Sequence, residues 1–450
     1  MYFPKQCNVP KRKKVRRCFT FLGGITEKQG GESVFNASHR LVASRAVNFR
    51  SCNGELSDGA GLTAYTQIVL PDAERAKAVY RCNRTLYVLS VTGKLYCQND
   101  TGAFELFHPE PVLYCGRPVL YESGQGVPLI LFPTNHGLII HGDEGNVAGN
   151  SVWYRDVCIY GERLFGVTAN DPARIEFSAI LQPNDFTQKV NRGGYVRLPS
   201  DAGEVLRLFS IRNALYAVRK NGVTRIEGKG ETLGFTAETK HLANGAVYGK
   251  SAAVAGENIV YMATDGFYLF NGTSAKRVFT HVRNLPEYEG GEGVYADGKY
   301  YVLLAGGDIF CGDLSTDEGY VITADADGIS RIVTEEGEKL AVLRNNVVLC
   351  FLSYACDMGV PMEKEWVSEA VDTGGDGERK ILRKLCILAR GQMRLWVRSE
   401  YGMRWYELNS RGELSVFHPN LPGSLFTIGI RSSAPGCAVS RIYTETETGV

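Results

Sequence analysis

The sequence lacks the long apolar segments that would place it in a membrane. Runs such as VPLILFP at 127–133 end after a few residues, whereas a membrane-spanning helix needs roughly 18. The first residues, MYFPKQCNVPKRKKVRRC, also lack the apolar core of a secretory signal. We therefore expect a protein that is neither secreted nor inserted into a membrane.

Paired cysteines are missing as well, although the chain contains 12 cysteines. No two of them have the C-x-x-C spacing that is typical of structural zinc. Several lie inside apolar segments such as VVLCFL and KLCIL, where a free thiol behaves as a small hydrophobic group. We expect reduced thiols, assembly in a reducing cytoplasm, no metal and no cofactor.

Neither sign of charge is in excess, because the formal net charge is +1. So balanced a chain has no overall field that attracts nucleic acid or an anionic membrane. The balance hides a basic block before the first acidic residue, Glu27. Such a block indicates an arm that binds a neighbouring protein subunit, an arm that binds nucleic acid, or a solvated tail. The predicted partner-binding residues are Lys11, Arg12, Lys13, Lys14, Arg16 and Arg17.

Glycine, by contrast, is abundant: its 51 residues indicate many tight turns between short strands. Helical periodicity is almost absent, and its best candidate is the short segment DAERAKAVY at 72–80. A different pattern recurs, in which four apolar residues, a polar or glycine turn and a second apolar group form a hairpin. The first apolar residues of its successive copies are Leu86, Leu129, Leu164, Leu215, Ile259, Tyr300 and Leu340.

These hairpins recur every 42 residues or so, about the length of a four-stranded propeller blade. The dipeptides Asn221-Gly222 and Asp265-Gly266 are typical of two-residue hairpin turns. Each hairpin is apolar on both faces, so it has to be stacked between neighbours, and a closed ring of sheets achieves this. We predict an all-β protein with a β-propeller at 66–361, most simply of seven blades; one or two β-sandwiches are the alternative.

The two ends of the chain differ from this repeat. After Pro361 the strands become longer and alternate between faces, as Met393, Leu395 and Val397 do. About six such strands predict a separate antiparallel β-sandwich at 362–450. Residues 1–65 are poor in strand signal and rich in glycine, serine and asparagine, so we predict an extended basic N-terminal arm there.

Catalytic and metal-binding motifs are weak. Ser315, Asp317 and Gly319 half-match the S-x-D-x-G-x-x-W turn of sialidase blades, but Ile322 stands where tryptophan belongs. The segment SEYGMRW at 399–405 resembles the same turn and is one residue short. We interpret both as hairpin tips.

Two histidines and a nearby aspartate are of residue types that bind metal ions. His136 and His141, followed by Asp143, have a spacing that points the two side chains to opposite faces of a strand. We therefore predict no catalytic residues and no metal site.

The order of features resembles the structural propellers of bacteriophages. The resemblance lies in the segment GGESVFNASHRLVASRAVNFR, in ERLFGVTANDPARIEFSAILQPNDFTQ and in LRLFSIRNALYAVRKNGVTRIEG. Within that group the chain is similar to the tail hub, or tail accessory, proteins of short-tailed phages. The resemblance implies a non-enzymatic virion component, assembled in the host cytoplasm as a ring around the tail axis. It would join the adaptor or portal to tail nozzle or fibre proteins, close to packaged DNA.

Two other functions remain open at this point. A host-surface propeller could bind glycans or a receptor through aromatic residues at blade tips, and its candidates are Trp153, Tyr154, Trp396 and Trp405. An enzyme of the sialidase or lyase type is the other.

Overall fold

The computed structural model describes residues 13–25, 40–82, 85–122, 128–142, 145–189, 192–228, 234–282, 285, 291–334, 337–352, 355–374 and 378–448. In these residues the helical parts are 3-10 turns at Pro71–Ala73, Gly249–Ser251 and Ala305–Gly307, which confirms the all-β prediction. Most of the best helix candidate, 72–80, is instead a strand, because Ala76 and Val79 are buried and the segment pairs with the following hairpin.

The described part of residues 1–65 consists of strands, so the predicted extended arm is wrong for these residues. They are β1 (Lys13–Ile25), β2 (Arg40–Val47), β3 (Phe49–Cys52), β4 (Glu55–Asp58) and β5 (Gly61–Gln67). Phe19 and Phe21 are buried while Lys14 and Arg16 are exposed, the alternation of a strand with one face in a core.

Six groups of four antiparallel strands follow, and each forms a blade of a β-propeller. The first three are β6 (Ala76–Cys82), β7 (Thr85–Ser90), β8 (Leu95–Gln98) and β9 (Phe104–His108); β10 (Val119–Glu122), β11 (Pro128–Thr134), β12 (Gly137–Gly142) and β13 (Gly145–Val147); and β14 (Tyr154–Tyr160), β15 (Arg163–Thr168), β16 (Arg174–Phe177) and β17 (Gly194–Arg197).

The next three groups continue the same order. They are β18 (Val205–Ile211), β19 (Ala214–Arg219), β20 (Gly222–Glu227) and β21 (Thr236–Leu242); β22 (Ala253–Ala255), β23 (Asn258–Ala263), β24 (Gly266–Phe270) and β25 (Ala275–Val278); and β26 (Gly293–Ala296), β27 (Lys299–Leu303), β28 (Ile309–Asp313) and β29 (Glu318–Ile322). The propeller is therefore confirmed, with six such blades where the hairpin spacing predicts seven.

A further sheet follows the sixth blade and draws one strand from the N-terminal segment. Its strands are β30 (Gly328–Thr334), β31 (Gly337–Arg344), β32 (Val347–Leu352), β33 (Cys356–Asp357) and β34 (Val360–Pro361). β5 lies between β32 and β33 in this sheet. Ile332 and Val348 of this sheet share a hydrophobic cluster with Val79 and Val88 of the first blade. The last sheet of the series thus packs against the first.

Hydrophobic clusters fill the spaces between neighbouring blades. Tyr87 and Leu89 of the first blade pack against Ile130 and Phe132 of the second, and comparable clusters join the later blades. Each blade therefore buries both faces, which is the physical reason for radial stacking. All seven predicted hairpins are present, as the second and third strands of their sheets.

The C-terminal region contains the six predicted strands in an arrangement that does not confirm the predicted separate sandwich. The strands are β35 (Lys364–Ser368), β36 (Lys380–Ser399), β37 (Gly402–Phe417), β38 (Leu421–Gly423), β39 (Thr427–Ser432) and β40 (Ala438–Thr448). Together with the N-terminal strands β1 to β4 they form one hydrogen-bonded sheet, which we call the terminal sheet.

Hydrogen bonding in the terminal sheet runs in a closed circuit. It passes from β36 to β39, β35, β2, β1 and β40 and returns to β36. The reason is that β36 is long enough to pair with both β40 and β39 along one edge, while β1 bridges β40 and β2. Four N-terminal strands, β1 to β4, are therefore part of a sheet that the sequence pattern predicts for the C-terminal residues alone, and two of them, β1 and β2, belong to the circuit.

Candidate assembly surface on the terminal sheet

The predicted partner-binding residues lie mainly on β1. Lys13, Lys14, Arg16 and Arg17 belong to this strand, whereas Lys11 and Arg12 lie outside the described residues. β1 runs antiparallel to β40, which places Lys14 opposite Glu447 and Arg16 opposite Glu445. Lys14 and Arg16 are two residues apart, and so are the two glutamates that lie opposite them.

These charges form ion pairs within the chain. Arg16 Nε donates to Glu445 Oε2 over 2.8 Å, and Lys14 Nζ lies 3.6 Å from the other oxygen of the same carboxylate. The hydrogen bond from Arg16 holds the pKa of Glu445 below its usual range. The cations themselves remain largely exposed, 79% for Arg16 and 65% for Lys14, so each pair contributes at most about 1 kcal/mol. They can still meet a partner's acidic groups from the solvent side.

The other face of β1 supplies the stronger attachment. Phe19 and Phe21 are buried in the main hydrophobic cluster, and the Phe21 ring meets Trp366 of β35 edge-on at 4.9 Å between centroids. Burial of a phenylalanine side chain contributes about 1.5–3 kcal/mol. Apolar contacts therefore hold β1 in place, and its cations lie on the surface at a fixed position.

A joint connects the terminal sheet to the propeller. Val47 at the end of β2 forms a parallel bridge with Val321 of the sixth blade, and the next residue, Asn48, is 2% exposed. Asn48 Nδ2 also donates to the carbonyl oxygen of Glu363, just before β35. Next to this joint, and within the terminal sheet, Lys364 of β35 is fully buried and donates to Asp58 Oδ1 of β4 at 2.7 Å. The main hydrophobic cluster spans both parts, from Trp366 to Phe310 of the sixth blade.

On their solvent side, β36 and β37 carry two arginines whose charge is not balanced by another described residue. Arg390 and Arg411 lie directly opposite each other, and neither forms an ion pair with another described residue. Arg394 does pair with Glu407, at 2.7 Å. Like charges directly opposite destabilise an antiparallel pair, so the two arginines are suited to an acidic partner.

The four aromatic candidates for glycan binding do not share one environment. Tyr154 is fully buried and donates to Glu176 Oε2, and Trp396 is only 7% exposed. Trp153 is 41% exposed and Trp405 is 50% exposed. Half of the proposed set is therefore unavailable to a sugar.

The two sialidase-like segments are hairpin turns, as the sequence indicated. Ser315 lies in the turn between β28 and β29, and its Oγ donates to Asp313. Asp317 accepts the Phe279 backbone N–H from the preceding blade at 2.5 Å. The second segment contains the turn between β36 and β37, where Ser399 pairs with Gly402. Ser399 Oγ donates to the carbonyl oxygen of Pro422, and Glu400 accepts the Ser424 N–H. The acids and hydroxyls of both segments therefore have structural partners within the chain.

The histidines considered as metal ligands have protein partners. His136 Nε2 lies 2.9 Å from the carbonyl oxygen of Pro111, and the His141 ring packs 4.5 Å from Phe107. Asp143 lies outside the described residues. Among the residues that the structure describes, no group of three His, Cys, Asp or Glu side chains has a metal-binding arrangement.

The surface also has a small cleft and two exposed thiols. A cleft of about 40 Å³ lies between β3 and the sixth blade and is lined in part by Cys52, Lys299 and Glu318. The described cysteines are all free thiols; Cys18 and Cys52 are exposed, and Cys7 lies outside the described residues. None of the described helical turns has the length to cross a membrane.

One polar cluster in the propeller is not predicted by any motif in the sequence. Asp156 is 2% exposed, accepts the Leu208 N–H at 2.8 Å and lies 3.8 Å from Arg117. Burial raises the pKa of Asp156, and Arg117 and Arg207 oppose that rise. Arg207 in turn binds Glu292 at 2.6 Å. These residues lie in, or directly before, the second, third, fourth and sixth blades, so their pairing could not be inferred from spacing, and they link these blades together.

Residues 163–186, which belong to the phage-like stretch ERLFGVTANDPARIEFSAILQPNDFTQ, are held in place by hydrogen bonds within their own blade. Arg163 is 3% exposed, and its Nη1 donates to the carbonyl oxygens of Ser178 and Arg192, both at 2.7 Å. Arg192 also pairs with Asp185. The described part of the connection after β16 is therefore held to its blade, with Ile180 and Leu181 exposed at its surface.

Sequence comparison identifies no relative: no protein-family model matches the chain, and no curated protein sequence matches it significantly. The family of the chain is therefore not shown by its sequence.

Solved structures similar to this chain include propellers of varied function. Virginiamycin B lyase from Staphylococcus aureus is 10% identical with a TM-score of 0.45, and the match covers 65% of this chain and 99% of the lyase. The Pan2 WD40 domain from Neurospora crassa is 14% identical, with a TM-score of 0.40 and coverage of 65% and 93%. BamB from Moraxella catarrhalis is 14% identical, with a TM-score of 0.40 and coverage of 64% and 97%. At these values the matches carry no inference about function.

Proposed function

We propose that the protein is a non-enzymatic structural component of a bacteriophage tail, of the tail hub type. Several copies assemble around the tail axis and join the head-proximal adaptor or portal to distal tail parts. The observation that supports this most is the joint between propeller and terminal sheet. A component that connects two neighbours needs its surfaces to keep a fixed position relative to each other. The hydrophobic core shared by propeller and terminal sheet, with the buried Asn48 beside it, provides this.

Opposite charges in one chain support self-association into a ring. Residues 378–448 contain 11 Lys and Arg against 6 Asp and Glu, whereas residues 297–361 contain 4 against 11. A head-to-tail contact that brings the basic region of one copy to the acidic region of the next is electrostatically favourable. Repetition of such a heterologous contact generates a ring when the rotation closes.

We propose that the sheet of β30–β32 with β5 acts as a seventh blade. It has the length and pairing of the other blades, and it packs against the first of them. In this blade the N-terminal strand β5 pairs with β32. The ring of blades is therefore closed by strands that are distant in sequence.

The basic segment at the start of the chain acts in this proposal as a surface and not as a free arm. Lys14 and Arg16 stand on the exposed side of β1, where a neighbouring virion protein or packaged DNA can contact them. Lys13 and Arg17 belong to the same strand, and Lys11 and Arg12 precede it in the sequence.

A host-surface function is the second candidate, because Trp405 is half exposed beside Trp396 and Arg394. A half-exposed ring of this kind can stack on a sugar. Glycan-array binding that is lost in Trp405→Ala and kept in Trp153→Ala would favour this candidate, and no binding on the array would remove it.

Quantitative mass spectrometry of purified particles tests the leading proposal. Particles from a phage lysate are separated on a density gradient, and this chain is counted against the major capsid protein. We expect a constant, low copy number that fits a tail ring. Absence of the chain from intact particles that contain the other tail proteins would overturn the proposal.

A further inference from the structure

The outer edge of β37 is a long strand edge without a partner. Among the described residues, β37 pairs with β36 alone, from Gly402 opposite Ser399 to Phe417 opposite Leu385. Its second edge therefore leaves backbone N–H and C=O groups facing outwards over 16 residues. Such an edge is a template for another strand, and proteins usually shorten, cover or block it.

Exposed apolar side chains accompany this edge. Trp405 is 50% exposed, Leu414 is 51% exposed and Val416 is 48% exposed. On the opposite face of the strand, Leu408 and Ser410 are buried against the core. The apolar groups thus stand on the solvent side, where folding of one copy gives them no cover.

The order of side-chain types on the solvent side of β37 suits pairing with a second, antiparallel copy of the same strand. Apolar residues then meet apolar residues, and an acidic residue meets a basic one. Their positions are set by their neighbours on β36, and a bulge at Gly412 puts one extra residue between Arg411 and Leu414. In order, the row reads apolar, apolar, acidic, amide, basic, apolar, apolar. These residues are Met403, Trp405, Glu407, Asn409, Arg411, Leu414 and Val416.

We propose that two copies of this chain pair through β37, antiparallel and centred on Asn409. Met403 and Trp405 then face Val416 and Leu414 of the second copy, and Glu407 faces its Arg411. Opposite charges and apolar pairs directly across an antiparallel ladder both stabilise it. The Arg411 charge, which faces only Arg390 within its own chain, gains an acidic neighbour.

The pairing extends each terminal sheet across a twofold axis into its second copy. Main-chain hydrogen bonds give such strand addition its affinity, and the side-chain row gives it register and specificity. The contact is isologous and closes on a pair. It is therefore independent of the heterologous contact that the proposed tail ring requires, and it can be tested in the purified protein alone.

Charge reversal tests the pairing in the full-length chain. Sedimentation equilibrium over a range of concentrations measures self-association for wild type, Arg411→Glu, Glu407→Arg and the double variant. Each single change sets like charges opposite each other twice, so we expect self-association to weaken at least about tenfold. The double variant restores opposite charges, and we expect its association to return to within about threefold of wild type.

Two controls separate the interface from folding and from net charge. Arg411→Glu removes a like-charge neighbour of Arg390, so the melting temperature of the isolated chain should not fall. Arg197→Glu makes the same charge change on an exposed residue of β17 and should leave association unchanged. A monomeric wild type, single variants that associate normally, or a double variant that stays as weak as the singles would each overturn the proposal.

Discussion

Asn48 shows how one side chain can join three distant parts of a chain. Its backbone N–H donates to Val321 of the sixth blade, and its Oδ1 accepts the Thr323 N–H at 2.9 Å. Its Nδ2 donates to the carbonyl oxygen of Glu363 at 2.8 Å, just before β35. Its φ of 55° is one that asparagine tolerates better than most residues. The position therefore suits asparagine in both backbone and side chain.

We expect Asn48→Ala to destabilise the protein. The change removes two hydrogen bonds of the buried Asn48 side chain, one with the Thr323 N–H and one with the Glu363 carbonyl, at a cost of about 1–3 kcal/mol. Chemical denaturation measures the loss. The matched control is Asn53→Ala, since Asn53 has a similar φ of 53° and is exposed. Equal losses in the two variants would show that the hydrogen bonds of Asn48 contribute nothing.

The buried ion pair between Lys364 and Asp58 should be sensitive to removal of one partner. Lys364→Met leaves the Asp58 carboxylate buried with the Gly436 N–H as its remaining partner. We expect a loss of about 3–5 kcal/mol in the free energy of unfolding. The double variant Lys364→Met with Asp58→Leu removes both charges and should recover part of the loss. A double variant less stable than the single one would contradict this account.

Glu74 gives the propeller a defined acid sensitivity. Burial alone would raise its pKa, but hydrogen bonds from Lys94, Thr92 and Ser90 lower it to about 2. A depressed folded-state pKa means stability that is present above the unfolded value of 4.5 and is lost as the pH falls towards 2. We expect Glu74→Gln to be less stable than wild type at neutral pH, and the difference to shrink over that window. A difference that does not change with pH would refute it.

At the scale of elements, local hairpins were predictable and long-range pairing was not. The hairpin of β19 and β20 is visible because Asn221-Gly222 separates two apolar groups, and every contact it needs lies within a few residues. The pairing of β1 with β40 joins residues such as Arg16 and Glu445, which are 429 apart.

Signals for that long-range pairing were nevertheless present in the sequence. Phe19 and Phe21 alternate with polar residues, and Glu445 and Glu447 have the same spacing as Lys14 and Arg16. The basic charges taken without their acidic partners predict an arm. The sequence therefore indicates which residues carry the positive charge, but not that they lie on a strand of the terminal sheet.

Hydrogen exchange distinguishes a strand from an arm. We expect the amide protons of β1 that bond to β40 to exchange as slowly as those of Thr444–Thr448. The reason is that β1 is held by the buried Phe19 and Phe21, so it opens together with the terminal sheet. Exchange within seconds across Lys14–Phe19, with β40 still protected, would restore the extended arm.

At the scale of the whole molecule, the two ends of the chain fasten what lies between them. β1 and β2 complete the terminal sheet, and β5 completes the sheet of β30–β32. A fold closed in this way holds its strands and strand edges at fixed positions relative to one another, which the proposed assembly role requires. The proposed tail role and the proposed strand pairing through β37 both depend on surfaces of this closed fold.

Cryo-electron microscopy of intact phage tails tests the central proposal most directly. The account predicts a ring around the tail axis in which each copy fits a propeller joined to the terminal sheet as one body, between the head-proximal adaptor and the distal parts. A tail map in which every ring between the portal and the tip is explained by other chains would contradict it.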